Sequence, residues 1–464
     1  MSKKKYLKFS LELIFIVLII MGGLKVLENR RYADLYDSDE VAWIFAGYYF
    51  NLYFLRGDLF HPDWDDYEAF DHPPLAKYIV GGTLFVKGYT IDSLSPKKFW
   101  NTIPIDKFPR YFDMIKHKIP NPTMVIPFTR SIIFVFALSS LLLLYLFVRM
   151  RYGILPALVS TSLIMINPIF KNISIWILAE PILLFFFTLF ILLCALYWKS
   201  HKNIYIVFAF VISSFAFLTK LNGILLLPVL IITFLSKNKV SISKQDWKWL
   251  LIGLVAFLFI SILLNPVFLN TGPKALWRMA EVRLSAFRIY QETFKDVALF
   301  SVSERFITST QMIFFKYSLF YHNINVPVEL IMFGGGIYYV FWRRDLLLIT
   351  IFVFLVIIPV AVLPYNTIKY YYWIFPFTHI IAGLSLSLFR DVWSVGSRIS
   401  KDKIVYASKW FNWIVLLGFC RKIKIEFEEV CCGFQWCGGF LCRSRPFLET
   451  FKNGFPSQTD LTRL

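Results

Sequence analysis

"FTRSIIFVFALSSLLLLYLFVRMRYG", residues 128–153, holds one cation near its start, two near its end, and 18 uncharged residues between them. A bilayer core takes ~20 apolar residues per helix, so residues 128–148 read as a membrane span. A second apolar run begins at residue 154, directly after the Arg149–Arg151 pair. A chain that repeats this pattern is a polytopic, all-α membrane protein, because a spanning segment must satisfy its own backbone hydrogen bonds.

Composition agrees. Of 464 residues, 57% are hydrophobic and 19% aromatic, with a mean hydropathy of +0.60. Ten spans are expected at 9–27, 128–148, 154–170, 174–197, 204–219, 221–235, 249–268, 326–342, 346–363 and 370–389, with an eleventh begun and broken at 410–420. The first has no small-residue cleavage site after it and reads as a retained signal-anchor helix. Loops 1–8, 149–153, 198–203, 236–248, 343–345 and 390–403 together carry 18 Lys and Arg, against only Lys171, Lys220 and Lys369 in the short loops opposite. Basic loops face the cytoplasm. The N-terminus is therefore expected inside a multi-pass cell-membrane protein, with residues 28–127 and 269–325 outside.

The net charge of +19 is spread over those loops, where topology and anionic lipid account for it, and does not indicate nucleic acid. Five of six cysteines fall between Cys420 and Cys442 without a C-x-x-C pair. They suggest neither a disulfide framework nor a zinc site. Residues 1–420 read as the membrane domain. Residues 421–464 change composition abruptly, as a shifted reading frame would produce, and read as foreign to it.

The first outer loop is acidic and aromatic. Its apolar runs 41–55 and 75–86 are too short to span and read as interfacial helices. In the second, "ALWRMAEVRLSAFRIYQETF", residues 275–294, puts Leu276, Met279, Leu284, Phe287 and Tyr290 roughly on one helical face with arginines interspersed. Such a helix rests on lipid headgroups or contacts substrate.

Candidate chemistry gathers at the outer side. Asp39 and Glu40 follow Ser38 at a helix start, where a cap and two first-turn carboxylates also serve stability. In "DHPPLAKYIVGG", residues 71–82, the prolines stiffen the chain and fix where Asp71 and His72 point. Glu180 precedes Pro181 near one outer end; Arg130, Lys220 and Lys369 lie at others. Charges at membrane depth are expensive and default to function, although each cation also suits snorkelling to lipid phosphate. His61, Asp63, Asp65, Asp66 and Glu68 form a further acidic cluster, solvated or able to take a divalent cation.

"SDE", "DHPPLAKYIVG", "PFTRSIIF", "AEPILLFF", "FLTKLNGILLLP" and "KYYYWIFPF", in that order over about residues 10–390, resemble the dolichyl-phosphate-mannose–protein mannosyltransferase family and its prokaryotic relatives. The resemblance implies a GT-C fold of about ten to eleven transmembrane helices with a large first outer loop. It implies an inverting glycosyltransferase that moves a sugar, mannose in the family's name, from a polyprenyl- or dolichyl-phosphate carrier to a protein, lipid or glycan acceptor at the outer face. By that resemblance Asp39 is the general base with Glu40 beside it. Arg130, Lys220 and Lys369 hold the donor phosphate, while His72, Lys77 and Glu180 contact donor or acceptor. Such chemistry needs no resident cofactor. The chain departs from the family in lacking a large insertion in its second outer loop, and from aminoarabinose transferases in reading His before the prolines. A transporter or lipid flippase is the alternative, but transporters place charges near the midplane, often in paired repeats, and neither pattern is visible here.

Overall fold

The computed structural model describes residues 3–33, 38–92, 119–237, 243–293, 295, 297–318, 321 and 326–396. The broken span at 410–420 and the tail 421–464 lie outside them. Regular structure among the described residues is helical, apart from one isolated bridge between Ala298 and Tyr365.

Three described helices are long and apolar enough to cross a membrane: Pro122–Tyr152, Ala179–Ser200 and Lys244–Leu263. Ile154–Ile166, Ile204–Thr219, Leu221–Ser236, Val328–Trp342, Leu346–Ala361 and Phe375–Leu388 are shorter apolar helices. The expected span 154–170 breaks at Asn167, which leaves the helical conformation and caps a short helix, Pro168–Ile173, through Ile169 N–H. Proline at that first helical position has no N–H to orphan. Gly153, at φ +100°, reverses the chain between the Pro122–Tyr152 and Ile154–Ile166 helices, a backbone state that side-chain-bearing residues avoid.

The bundle is built by neighbours. Pro122–Tyr152 packs on Ala179–Ser200 and Ile154–Ile166, Ile204–Thr219 lies between Ala179–Ser200 and Lys244–Leu263, and Val328–Trp342 packs on Phe375–Gly396. Lys3–Arg30 joins through Glu12, whose carboxylate accepts from Arg149 at 2.6 Å. At the same end Arg151 pairs with Asp345 at 2.7 Å.

Arg130 and Arg149 are on one helix, 19 residues apart, hence about 28 Å at 1.5 Å per residue. That matches a hydrocarbon core of ~30 Å. Charged side chains thus form two belts with an apolar body between them.

Residues 38–92 of the first loop pack on one another. Ser38–Ala46 and Tyr48–Phe50 run on into one wide turn of π-helix, Asn51–Leu55. They cross the Leu75–Val86 helix where Gly47 meets Gly81. A Cβ on Gly81 would lie 2.5 Å from the Gly47 carbonyl oxygen, so only glycine permits this crossing. Residues 38–92 are also tied to the end of the Lys244–Leu263 helix and the turn after it: Tyr53 donates to the Leu263 carbonyl at 2.8 Å, Tyr78 to Leu264 at 3.1 Å, and Asn270 donates to the Leu59 carbonyl at 3.0 Å.

Candidate active site

Asp39 and Glu40 are consecutive, yet their surroundings differ. Helical geometry turns them about 100° apart, so one faces the bundle and the other its rim. Glu40 is fully buried and accepts both Arg130 Nε at 3.0 Å and Nη2 at 2.8 Å. It also accepts Ile177 N–H at 3.0 Å. Arg130, equally buried, donates its remaining nitrogen to the Ala33 and Arg31 carbonyls at 2.6 and 3.2 Å. This two-pronged pair clamps the Ser38–Ala46 helix, the turn before it and the 177 segment onto the Pro122–Tyr152 helix. Of the residues expected to meet substrate, these two have no accessible surface to offer it.

Asp39 keeps 28% of its side-chain surface and pairs with Lys369, which reaches it from the short Ile368–Tyr371 helix. They are 330 positions apart in the chain. Deeper, Glu180 and Lys220 form a second buried pair at 2.5 Å, with the Lys220 ammonium 5.5 Å from the Tyr370 ring centre.

The Asp71–His72 turn closes the next side. Asp71 ends the Tyr67–Asp71 helix, and His72 is extended, as a residue before proline must be. Arg283 donates to His72 Nδ1 at 2.6 Å and pairs with Asp71 at 3.2 Å, while His72 Nε2 is 3.1 Å from the same aspartate. The same Arg283 nitrogen is 3.2 Å from His72 Nε2, and a guanidinium only donates, so its approach to the ring favours the neutral imidazole. Burial, and then Arg283, Lys220, Lys77 and Lys369, hold its pKa well below the usual value. Trp43 flanks the ring at 5.0 Å.

Lys77, 2% exposed, donates to the Glu68 carbonyl and stands 4.5 Å from the Tyr49 ring centre. Burial lowers its pKa to about 8. Burial raises Glu68 to about 7, with Lys77 opposing and Asp71 and Asp39 reinforcing the shift. Asp39, Glu68, Asp71, His72, Lys77, Lys220, Lys369 and Arg283 therefore share one electrostatic neighbourhood.

The acidic run 61–68 disperses instead. His61 Nδ1 accepts Asp63 N–H at 3.2 Å as a helix cap, Asp63 accepts Tyr48 Oη at 2.8 Å, and Asp65 pairs with Arg278 at 2.6 Å. Among the described residues, no group of three or more His, Cys, Asp or Glu is placed to hold a metal ion.

Arg283 is the site residue that the sequence did not single out. Three arginines at 278, 283 and 288 recur in an amphipathic helix. Which one turns inward depends on the packing of that helix against Tyr67–Asp71.

Residues 128–264 match the family model for dolichyl-phosphate-mannose-protein mannosyltransferase. Over that segment the chain is similar to that family. The matched segment starts beside Arg130 and contains Glu180 and Lys220, but it is shorter than the stretch over which the motifs were read. No curated relative matches the chain. In architecture the chain is similar to ArnT from Cupriavidus metallidurans in its apo state, at TM-score 0.51 and 13% identity over 82% of this chain and 60% of that one. That likeness establishes the GT-C fold. ArnT bound to undecaprenyl phosphate gives 0.46 at 14% identity over the same shares, 82% and 60%. The archaeal oligosaccharyltransferase AglB from Archaeoglobus fulgidus, with an inhibitory peptide and a dolichol-phosphate, gives 0.48 at 15% identity over 89% and 54%. The chain thus spans little more than half the length of these structures.

Proposed function

We propose that this chain is a membrane glycosyltransferase that moves a sugar from a polyprenyl-phosphate carrier to an acceptor hydroxyl, with Asp39 as general base. The observation that carries the reading is the contrast within one helical turn. Glu40 is sealed against Arg130, whereas Asp39 is held by Lys369 with surface left for an acceptor.

In this reading the acceptor oxygen attacks the anomeric carbon from the face opposite the phosphate. The new carbon–oxygen bond forms as the carbon–phosphate oxygen bond breaks, the acceptor proton passes to Asp39, and the carrier leaves as its phosphate. The configuration inverts in one displacement. A phosphate leaves as a stable anion, so no general acid is required, unlike the alkoxide in glycoside hydrolysis. Lys369, Lys220 and Arg283 supply positive charge around that phosphate. Glu180 holds Lys220, and Asp71 with His72 holds Arg283. The Arg130–Glu40 pair positions Asp39. Mannose as the sugar, and an extracytoplasmic site with the Lys-rich loops inside, belong to the same proposal, supported by the family's description and by the two charged belts.

The test is direct. Full-length protein in nanodiscs is incubated with polyprenyl-phosphate mannose, glucose and aminoarabinose, and the carrier phosphate released is measured with and without candidate acceptors. Acceptor-dependent release from one donor supports the reading. No release from any of them, with donor binding verified as absent, would sink it.

A further inference from the structure

The helix Lys274–Thr293 does not have the single apolar face that its sequence suggests. It has three stripes. Ala275, Met279 and Ala286 are buried, with Val282 half-buried, against the first loop. Lys274, Arg278, Glu281, Ser285, Arg288 and Glu292 recur at i, i+4, i+7, i+11, i+14 and i+18 and form an exposed polar stripe. Between these lie Leu276, Trp277, Ala280 and Leu284, all exposed, with Leu276 at 52%, Trp277 at 77% and Leu284 at 64%. A water-facing helix has no use for such a stripe, and tryptophan favours the layer between lipid tails and water.

The neighbouring surface supports a lipid partner over a protein one. The spanning helix Lys244–Leu263 has only 17% of its apolar window buried and exposes Phe259, Ile262 and Leu263 toward its outer end. Exposed Leu269 continues that surface into Leu276 and Trp277. Cations Lys274 and Arg288, on the adjoining polar stripe, suit anionic headgroups. Arg283 lies at the boundary between the buried and apolar stripes, where it holds Asp71 and His72.

We infer that this helix seats its Leu276–Trp277–Leu284 stripe in the interfacial layer of the bilayer, and that the seating holds Arg283 on the Asp71–His72 turn. The lipid surface is then part of what orders the site. The inference goes beyond the proposed sugar transfer, and its test uses no sugar.

The full chain is reconstituted into phosphatidylcholine vesicles with plain or brominated acyl chains, and its emission is compared with that of Trp277→Phe. The emission lost on replacing Trp277 is expected to be quenched by brominated lipid. Emission from Trp277 that brominated lipid leaves untouched would place the stripe in water or under a protein partner and overturn the inference. The double variant Leu276→Gln/Leu284→Gln is expected to lose this quenching and to lose hydrogen-exchange protection at residues 67–72. Ser285→Ala, on the polar stripe, is expected to keep both. Unchanged protection at 67–72 in an unquenched double variant would overturn the coupling of the bilayer to the site.

Discussion

Two neighbouring carboxylates, one helix and two cations show how a site divides structural from chemical work. The Glu40–Arg130 pair has 0% side-chain exposure on both sides, and its guanidinium is shared with two backbone carbonyls. The Asp39–Lys369 pair keeps 28% and 14%. A sealed pair, once desolvated, is fixed: removing one partner strands the other charge in a medium that cannot solvate it. A half-open pair can exchange its partner for a ligand. Under the proposed function the clamp belongs to folding and the open pair to chemistry, although the sequence writes the two acids side by side.

The strongest way to break this comparison is Asp39→Asn. The amide keeps shape and hydrogen-bonding reach but takes no proton, so turnover is expected to fall ~10²–10⁴-fold, with donor affinity changed no more than a few-fold. Carrier-phosphate release and donor titration on the same preparation measure the two quantities. Full turnover in a folded variant would move the base elsewhere.

Next comes Arg130→Ala, which should destabilise the protein by about 3–5 kcal/mol through the buried Glu40 it abandons. The readout is the thermal unfolding midpoint in detergent, where Asp39→Asn should shift far less. If Arg130→Ala instead keeps its midpoint and loses donor binding, the clamp is a ligand contact and the comparison inverts.

Lys369→Ala sharpens the open side. A hydrogen bond to a charged group is worth about 1.5–3 kcal/mol, so donor affinity should weaken ~10–100-fold, beyond the few-fold change of Asp39→Asn. Equal donor affinities in the two variants would remove Lys369 from the phosphate.

The smallest expected effect is one of pH. Burial raises Glu68 from its ordinary 4.5 to about 7, so between those values the folded chain binds more protons than the unfolded one. Stability therefore falls as pH rises through that window. Lys77, depressed from 10.5 to about 8, acts in the opposite sense between about 8 and 10.5, where stability rises with pH. Glu68→Gln should flatten the lower slope of the unfolding midpoint against pH and, by removing a carboxylate that favours the Lys77 ammonium, extend the upper one toward lower pH. A lower slope unchanged by the substitution would assign it to another group.

Much of the site was legible because each motif carries its own local geometry. Prolines 73 and 74 force His72 into extended backbone and start the Leu75–Val86 helix whatever lies around them. Pairing was not legible. The 90 residues between Glu40 and Arg130, and the 330 between Asp39 and Lys369, put no constraint on which acid meets which cation. The acidic run 61–68 shows the converse, since density of like residues in sequence does not by itself make a shared site. In the fold His61, Asp63 and Asp65 bind a backbone amide, a tyrosine and an arginine in turn.

By itself the sequence determined an all-α membrane body, a stiff acidic first loop and a charge-free interval between Arg130 and Arg149, because hydropathy, proline geometry and helical rise act locally. Only the tertiary structure decided that Glu40 is closed and Asp39 open, that Arg283 turns inward while Arg288 does not, and that Met279 is buried beside an exposed Leu276 and Trp277. Those outcomes depend on which helix packs on which face. That choice is made by close approaches such as Gly47 against Gly81, where a contact between distant segments turns one side chain into the interior and its neighbour toward lipid or water.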